Sequence, residues 1–268
     1  MKTSRVTINN LEVSLLRKEV ADPTATIIFI HGFPFGKEIW QSQLEALPNN
    51  IQGIAYDIRG YGESDSGHGF FSIDLFAKDL IQLIDTIGLQ KVILCGVSMG
   101  GYIALRTYEL QGALISGLIL CDTNSGADTN VNKINRFASI EKIQEEGKGA
   151  FANEFLKKVF SVKTQEERHD MTSSIFKLIM ALPDSTLCAT QMALASRTDT
   201  SPILEKVTVP TLIVRGAEDQ LMSVQQANDL HHAIPGSELV EIPQAGHLPN
   251  LENAGDFNSA MNMFLAHM

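Results

Sequence analysis

Ser98 is the residue whose neighbours most directly suggest chemistry. It sits in Gly96-Val97-Ser98-Met99-Gly100-Gly101, between the apolar run Val92–Cys95 and an amphipathic stretch, Met99–Leu110. A G-x-S-x-G pattern joining a buried strand to a helix reads as a nucleophile elbow, a tight turn that exposes the serine hydroxyl above a sheet. Glycines suit that turn because strand and helix pack too closely there for side chains. The serine takes a strained conformation at the positive end of a helix. Such a serine attacks a carbonyl carbon, and the oxyanion that forms needs preorganised donors, each contributing about 3 kcal/mol. One is the backbone N–H of Met99. The second is expected from His31-Gly32-Phe33-Pro34, the loop after Thr26–Ile30. Gly32 lets the chain turn and Phe33 offers its N–H, whereas Pro34 has none.

A serine hydroxyl needs a base, and the base needs a carboxylate to orient it. Of the seven histidines, His247 follows the strand-like run Glu238–Ile242 in a loop before the last helical stretch. The carboxyl edge of an open α/β sheet is where catalytic loops belong. His68, His169, His231, His232 and His267 fall in a loop or on helix surfaces and read as solvated. His31 reads as a structural hydrogen-bonding residue on the buried side of its loop. Two carboxylates compete for the role of acid: Asp219, after Thr211–Val214, and Asp122, after Leu118–Cys121. Asp57 and Arg59 read as a loop-fixing ion pair or hydrogen-bond network.

These residues need a sheet to hold them, and the sequence alternates short apolar runs with longer amphipathic ones, the sign of a mostly parallel sheet with crossover helices. Arg5–Ile8 and Leu11–Leu16 flank Asn9-Asn10, a pair able to take positive φ, and predict an opening hairpin. Thr26–Ile30, Ile51–Tyr56, Val92–Cys95, Leu118–Cys121, Thr211–Val214 and Glu238–Ile242 are the other strand candidates. Helices are expected at Lys37–Leu47, Ile73–Ile87, Met99–Leu110, Val224–Ala233 and Ala254–Ala266, with Gly88 stopping the second. From about Asn124 to Glu205 no strand signal occurs. The organisation expected is therefore a core over residues 1–123 and 207–268, with a helical cap over 124–206.

Composition narrows the class. The 268 residues carry 21 Lys+Arg against 31 Asp+Glu, a net charge of −10, with 44% hydrophobic and 19% charged residues. That excludes wholesale disorder and a disulfide-stapled scaffold. An acidic chain without a basic cluster disfavours nucleic acid as partner. Cys95, Cys121 and Cys188 are odd in number and widely spaced, which suits reduced thiols and no zinc site. No signal-peptide layout and no apolar run of about 20 residues appears, so no membrane association is expected. The expectation is a cytoplasmic protein acting on a small molecule.

Cys95–Gly101, His31–Pro34, the Asp57-Ile58-Arg59-Gly60-Tyr61-Gly62-Glu63-Ser64 loop and Gly246-His247 together resemble the α/β-hydrolase family. The matching motifs run in order from about Ile27 to Leu251. Within the family the likeness is greatest to small carboxylesterases and 3-oxoadipate enol-lactonases. The resemblance implies a mostly parallel sheet of about eight strands with a cap inserted after the sixth. It implies Ser98, Asp219 and His247 as the catalytic set, in the chain order Ser…Asp…His, with Asp219 preferred to Asp122. No metal or organic cofactor is implied.

The reaction so implied is acyl transfer to water, on an ester or a lactone. Serine at position 98 argues against haloalkane dehalogenases and epoxide hydrolases, relatives that use aspartate there. Against the lactonase reading, Trp40 is the sole tryptophan and the cap has none. Members that have become binding proteins usually lose one of the catalytic set, and none is missing here. Phe35 and Trp40 are expected to contact substrate. An apolar, uncharged substrate group is expected, with most cap aromatics forming the cap's own core.

Overall fold

A computed structural model describes all 268 residues. The opening hairpin comprises β1 (Lys2–Ile8) and β2 (Leu11–Lys18), joined at Asn9 and Asn10, with φ of 50° and 62°. Two successive positive φ values give a turn whose twist matches that of the flanking strands. Six more strands follow: β3 (Ala25–Ile30), β4 (Ile51–Tyr56), β5 (Val92–Val97), β6 (Ile115–Cys121), β7 (Thr211–Gly216) and β8 (Glu238–Ile242). They form one sheet in the order β1-β2-β4-β3-β5-β6-β7-β8. Only β2 breaks the parallel run, pairing antiparallel with both β1 and β4. The central strands β3, β5 and β6 are apolar on both faces, because helices cover each side.

The crossover helices are α1 (Gln41–Ala46), α2 (Ile73–Thr86), α3 (Met99–Gln111), α9 (Val224–Ala233), the short α10 (Pro249–Glu252) and α11 (Ala254–Ala266). The helix expected over Lys37–Leu47 is split into a 3-10 turn at Lys37–Trp40 and the brief α1. Between β6 and β7 the chain makes no strand. It forms α4 (Asn130–Glu145), α5 (Lys148–Val159), α6 (Val162–Glu167), α7 (His169–Ala181) and α8 (Asp184–Ala195). No single helix is long and apolar enough to cross a membrane.

Asp57 and Arg59 do not pair with each other. The Lys37 ammonium is 2.7 Å from Asp57, and Arg59 is 2.6 Å from Asp79. Asp57 also accepts the Lys37 and Glu63 backbone N–H groups, so it ties the loops after β3 and β4 together. His31 is wholly buried: its Nε2 accepts the Ile58 N–H at 3.0 Å, and its Nδ1 donates to the Gly32 carbonyl. That is the structural role the sequence indicates.

Candidate active site

Ser98 ends β5 and opens α3, with φ 54° and ψ −116°. A non-glycine residue in that region is strained, and the surroundings hold it there. Its N–H donates to the Cys121 carbonyl at 2.8 Å, and its own carbonyl accepts the Thr123 hydroxyl at 2.8 Å. A Cβ on Gly96 would lie 2.3 Å from the Gly100 backbone, and one on Gly100 would lie 2.2 Å from the Ile30 carbonyl oxygen. The turn closes because both are glycine.

Beside the elbow, the Phe33 N–H has no partner within the chain. The Met99 N–H lies at a helix start, where the first amides lack intrahelical acceptors. Phe33, Ser98, Met99 and His247 line one cleft of about 580 Å³, closed on its other sides by α4, α5 and α8.

The His247 loop is fixed by its main chain. His247 N–H donates to the Val159 carbonyl at 2.7 Å, and Glu218 N–H donates to the Ala245 carbonyl at 2.8 Å. Buried Glu252 accepts Gly246 N–H through Oε1 and Ser161 N–H through Oε2, each at 2.8 Å. His247 Nδ1 donates to Asp219 Oδ2 at 2.8 Å, with both side chains buried. This leaves Nε2 as the ring nitrogen free to act as a base. The Ser98 hydroxyl and His247 share the cleft without a mutual hydrogen bond, a contact that commonly tightens only with substrate present.

Asp219 is held by Leu221 N–H at 2.7 Å and Met222 N–H at 3.1 Å, both on Oδ1. Burial opposes its charge, but the His247 ring and these donors outweigh burial and lower its pKa. Asp122 is buried on the neighbouring strand end, where Oδ1 accepts Gly216 N–H at 2.8 Å. Burial, and then the charge on Asp219, push its pKa well above the usual carboxylate range. The two carboxyls are thus biased in opposite directions, Asp122 toward the neutral form and Asp219 toward the ionised one.

Asp122, Asp219 and His247 form the one three-residue group of potential metal ligands, their ligand atoms within 4.8 Å of one another. His247 Nδ1 and Asp219 Oδ2 are already bonded to each other, and Asp219 Oδ1 and Asp122 Oδ1 to backbone amides.

Two residues expected against substrate are not in the cleft wall. Trp40 is fully buried, with ring centroids 5.1 Å from Phe29 and 6.1 Å from Phe257, so it belongs to the core beneath the sheet. Phe35 is also buried, one layer behind the lining residue Phe155 at 6.1 Å. The apolar part of the cleft wall instead includes Phe33, Phe151, Phe155, Leu221 and Met222. The remainder is more polar than expected and includes Asn124, Asp128, Arg136, Gln191 and Arg197. No motif in the sequence marks these, because they come from an insertion without a pattern of its own. Nor does any motif in the sequence mark Glu252.

The chain belongs to the α/β-hydrolase fold family, whose model matches residues 25–254. It is 30% identical to the AB hydrolase superfamily protein YisY of Bacillus subtilis, over 89% of this chain and 90% of that one. It is 25% identical to 3-oxoadipate enol-lactonase 2 of Acinetobacter baylyi, over 88% and 86% of the two chains. Among solved structures, a thermophilic esterase from Thermogutta terrifontis superposes with a TM-score of 0.91 at 29% identity, covering 100% of this chain and 99% of that one.

Proposed function

We propose that the protein is a serine hydrolase that cleaves small-molecule carboxylic esters through an acyl-enzyme. The observation that carries this is the strained Ser98 in one cleft with His247, whose Nδ1 is already bonded to Asp219. Ser98 Oγ attacks the ester carbonyl while His247 Nε2 takes its proton, and the N–H groups of Phe33 and Met99 hold the oxyanion. The alkoxide then leaves, protonated by His247. A water molecule, deprotonated by the same nitrogen, attacks the acyl-enzyme and releases the acid. Asp219 keeps the imidazole in the required tautomer and stabilises the imidazolium. Residues 124–206 act as the cap that encloses substrate. The free, mostly buried cysteines suit a reducing, cytoplasmic setting.

A second reading, lactone hydrolysis, uses the same steps with the leaving alcohol tethered to the acyl group. The likeness to an enol-lactonase and the polar character of the cleft favour it. The primary reading predicts a burst of 4-nitrophenol from 4-nitrophenyl acetate or butyrate, absent in Ser98→Ala. No burst, together with unchanged binding of a small ligand in that variant, overturns it. Simple esters tested beside enol-lactones separate the two readings.

A further inference from the structure

The cleft holds a charge arrangement that acyl transfer does not require. Asp128, with its side chain 1% exposed, is shared by two guanidinium groups. Arg197 Nη1 pairs with its Oδ1, and Arg136 Nε donates to its Oδ2 at 3.1 Å. Arg197 also donates to the carbonyls of Gly126 and Leu194, and Arg136 Nη1 reaches Gln191 Oε1 at 3.4 Å. The second terminal NH₂ of each arginine has no acceptor in the chain. One buried carboxylate therefore faces two permanent cations, leaving the cluster itself with one positive charge in excess.

The arrangement shares a cleft with Ser98. Arg197 stacks 4.3 Å above the Tyr102 ring. Tyr102 is one helical turn beyond Ser98, and its N–H donates to the Ser98 carbonyl. Ser98, Tyr102, Arg136 and Arg197 all line that cleft. Four further carboxylates line the cleft, on Glu141, Glu145, Glu146 and Glu154, but all four residues are exposed at the mouth. Lys142 lies between Glu146 and Glu154, at 3.2 and 2.7 Å. Charges in contact with water are strongly screened, whereas the half-buried Arg136 and buried Arg197 are screened much less.

We infer that the Arg136–Asp128–Arg197 cluster is a carboxylate-binding subsite, and that the preferred substrates are esters or lactones carrying a carboxylate a few carbons from the scissile carbonyl. This rests on the ester-hydrolase reading and replaces the expectation of an uncharged substrate. Arg136 is the more exposed of the pair, at 26% against 4% for Arg197, and would meet the incoming anion. Planar guanidinium groups suit carboxylates because their N–H groups can bond both oxygens.

The test compares the mono-4-nitrophenyl ester of glutaric acid with 4-nitrophenyl hexanoate, a neutral ester of similar length. Ser98→Ala supplies the background rate, because a free carboxylate accelerates its own ester's hydrolysis. The expected wild-type kcat/KM is at least about tenfold higher for the anionic ester. Arg136→Gln should lower the ratio of the two values at least tenfold, Arg136→Glu should invert it, and Arg136→Lys should keep part of it. Turnover of both esters with a ratio insensitive to Arg136, or a wild-type preference for hexanoate, overturns the subsite alone. Turnover of neither overturns the hydrolase reading and the subsite with it.

Discussion

Asp122 and Asp219 stand at the carboxyl ends of adjacent parallel strands, their carboxyl oxygens within 4.8 Å of each other. Only Asp219 is bonded to His247. Asp219→Asn should therefore lower kcat/KM on 4-nitrophenyl butyrate by about 10²–10⁴-fold, because the amide favours the wrong imidazole tautomer. Asp122→Asn preserves shape and neutrality and should cost less than about tenfold. A larger loss at Asp122 would reverse the assignment.

The raised pKa of buried Asp122 has a consequence for stability. Folded Asp122 keeps its proton to a higher pH than the unfolded chain, which releases it above about pH 4, so its contribution to stability falls as pH rises. The slope is at most about 1.4 kcal/mol per pH unit. Asp122→Asn removes it, and the Tm of the variant should gain on that of the wild type between pH 5 and pH 8. Parallel Tm curves across that range would contradict the raised pKa of Asp122.

His31 acts in the opposite direction. Burial lowers its pKa to about 4. The unfolded chain therefore binds the extra proton between pH 6.5 and 4, and stability is lost on acidification through that window. The loss amounts to about 3 kcal/mol. Urea unfolding at pH 7 and pH 4.5 should show it, and His31→Gln should start less stable with a flatter pH dependence.

Gly32 faces Ser98. A Cβ there would lie 3.0 Å from the Val97 carbonyl oxygen and 3.1 Å from Ser98 Cβ. Gly32→Ala should displace the Phe33 amide from the Ser98 hydroxyl and reduce kcat by about 10–100-fold, the scale of one misplaced oxyanion donor. The Tm should change by only a few degrees. An undiminished kcat would remove Phe33 from the oxyanion site.

Trp40 lies in the core, outside the cleft wall. Trp40→Ala should cost about 3–5 kcal/mol in urea unfolding, as large core truncations do. Trp40→Phe should alter stability while leaving the preference among acyl chain lengths unchanged. A shifted preference would return Trp40 to the cleft wall.

How far the sequence can be read depends on whether a residue's role is local. The elbow around Ser98, the hairpin at Asn9-Asn10 and helices such as Val224–Ala233 follow from turn chemistry and periodicity within one segment, and the structure agrees with them. The meeting of Asp122 with Asp219 is set by register between β6 and β7, which no single segment encodes. Trp40 lay near the motifs in sequence yet faces the core, because its position relative to α11 is decided by tertiary packing. The Arg136–Asp128–Arg197 cluster spans the loop after β6, α4 and the end of α8, so its charge balance emerges only when these are brought together.

The hydrogen bond from His247 N–H to Val159 bears on how this scaffold could be engineered. Together with the Glu252 bridge to Ser161, it makes the insertion part of the frame that aims the histidine. The helical segment and the His247 loop thus share a hydrogen-bond frame. A chimera that grafts residues 124–206 from a relative should displace His247 as well as reshape the cleft. Recombination at this seam should carry the Gly246–Glu252 segment along with the graft.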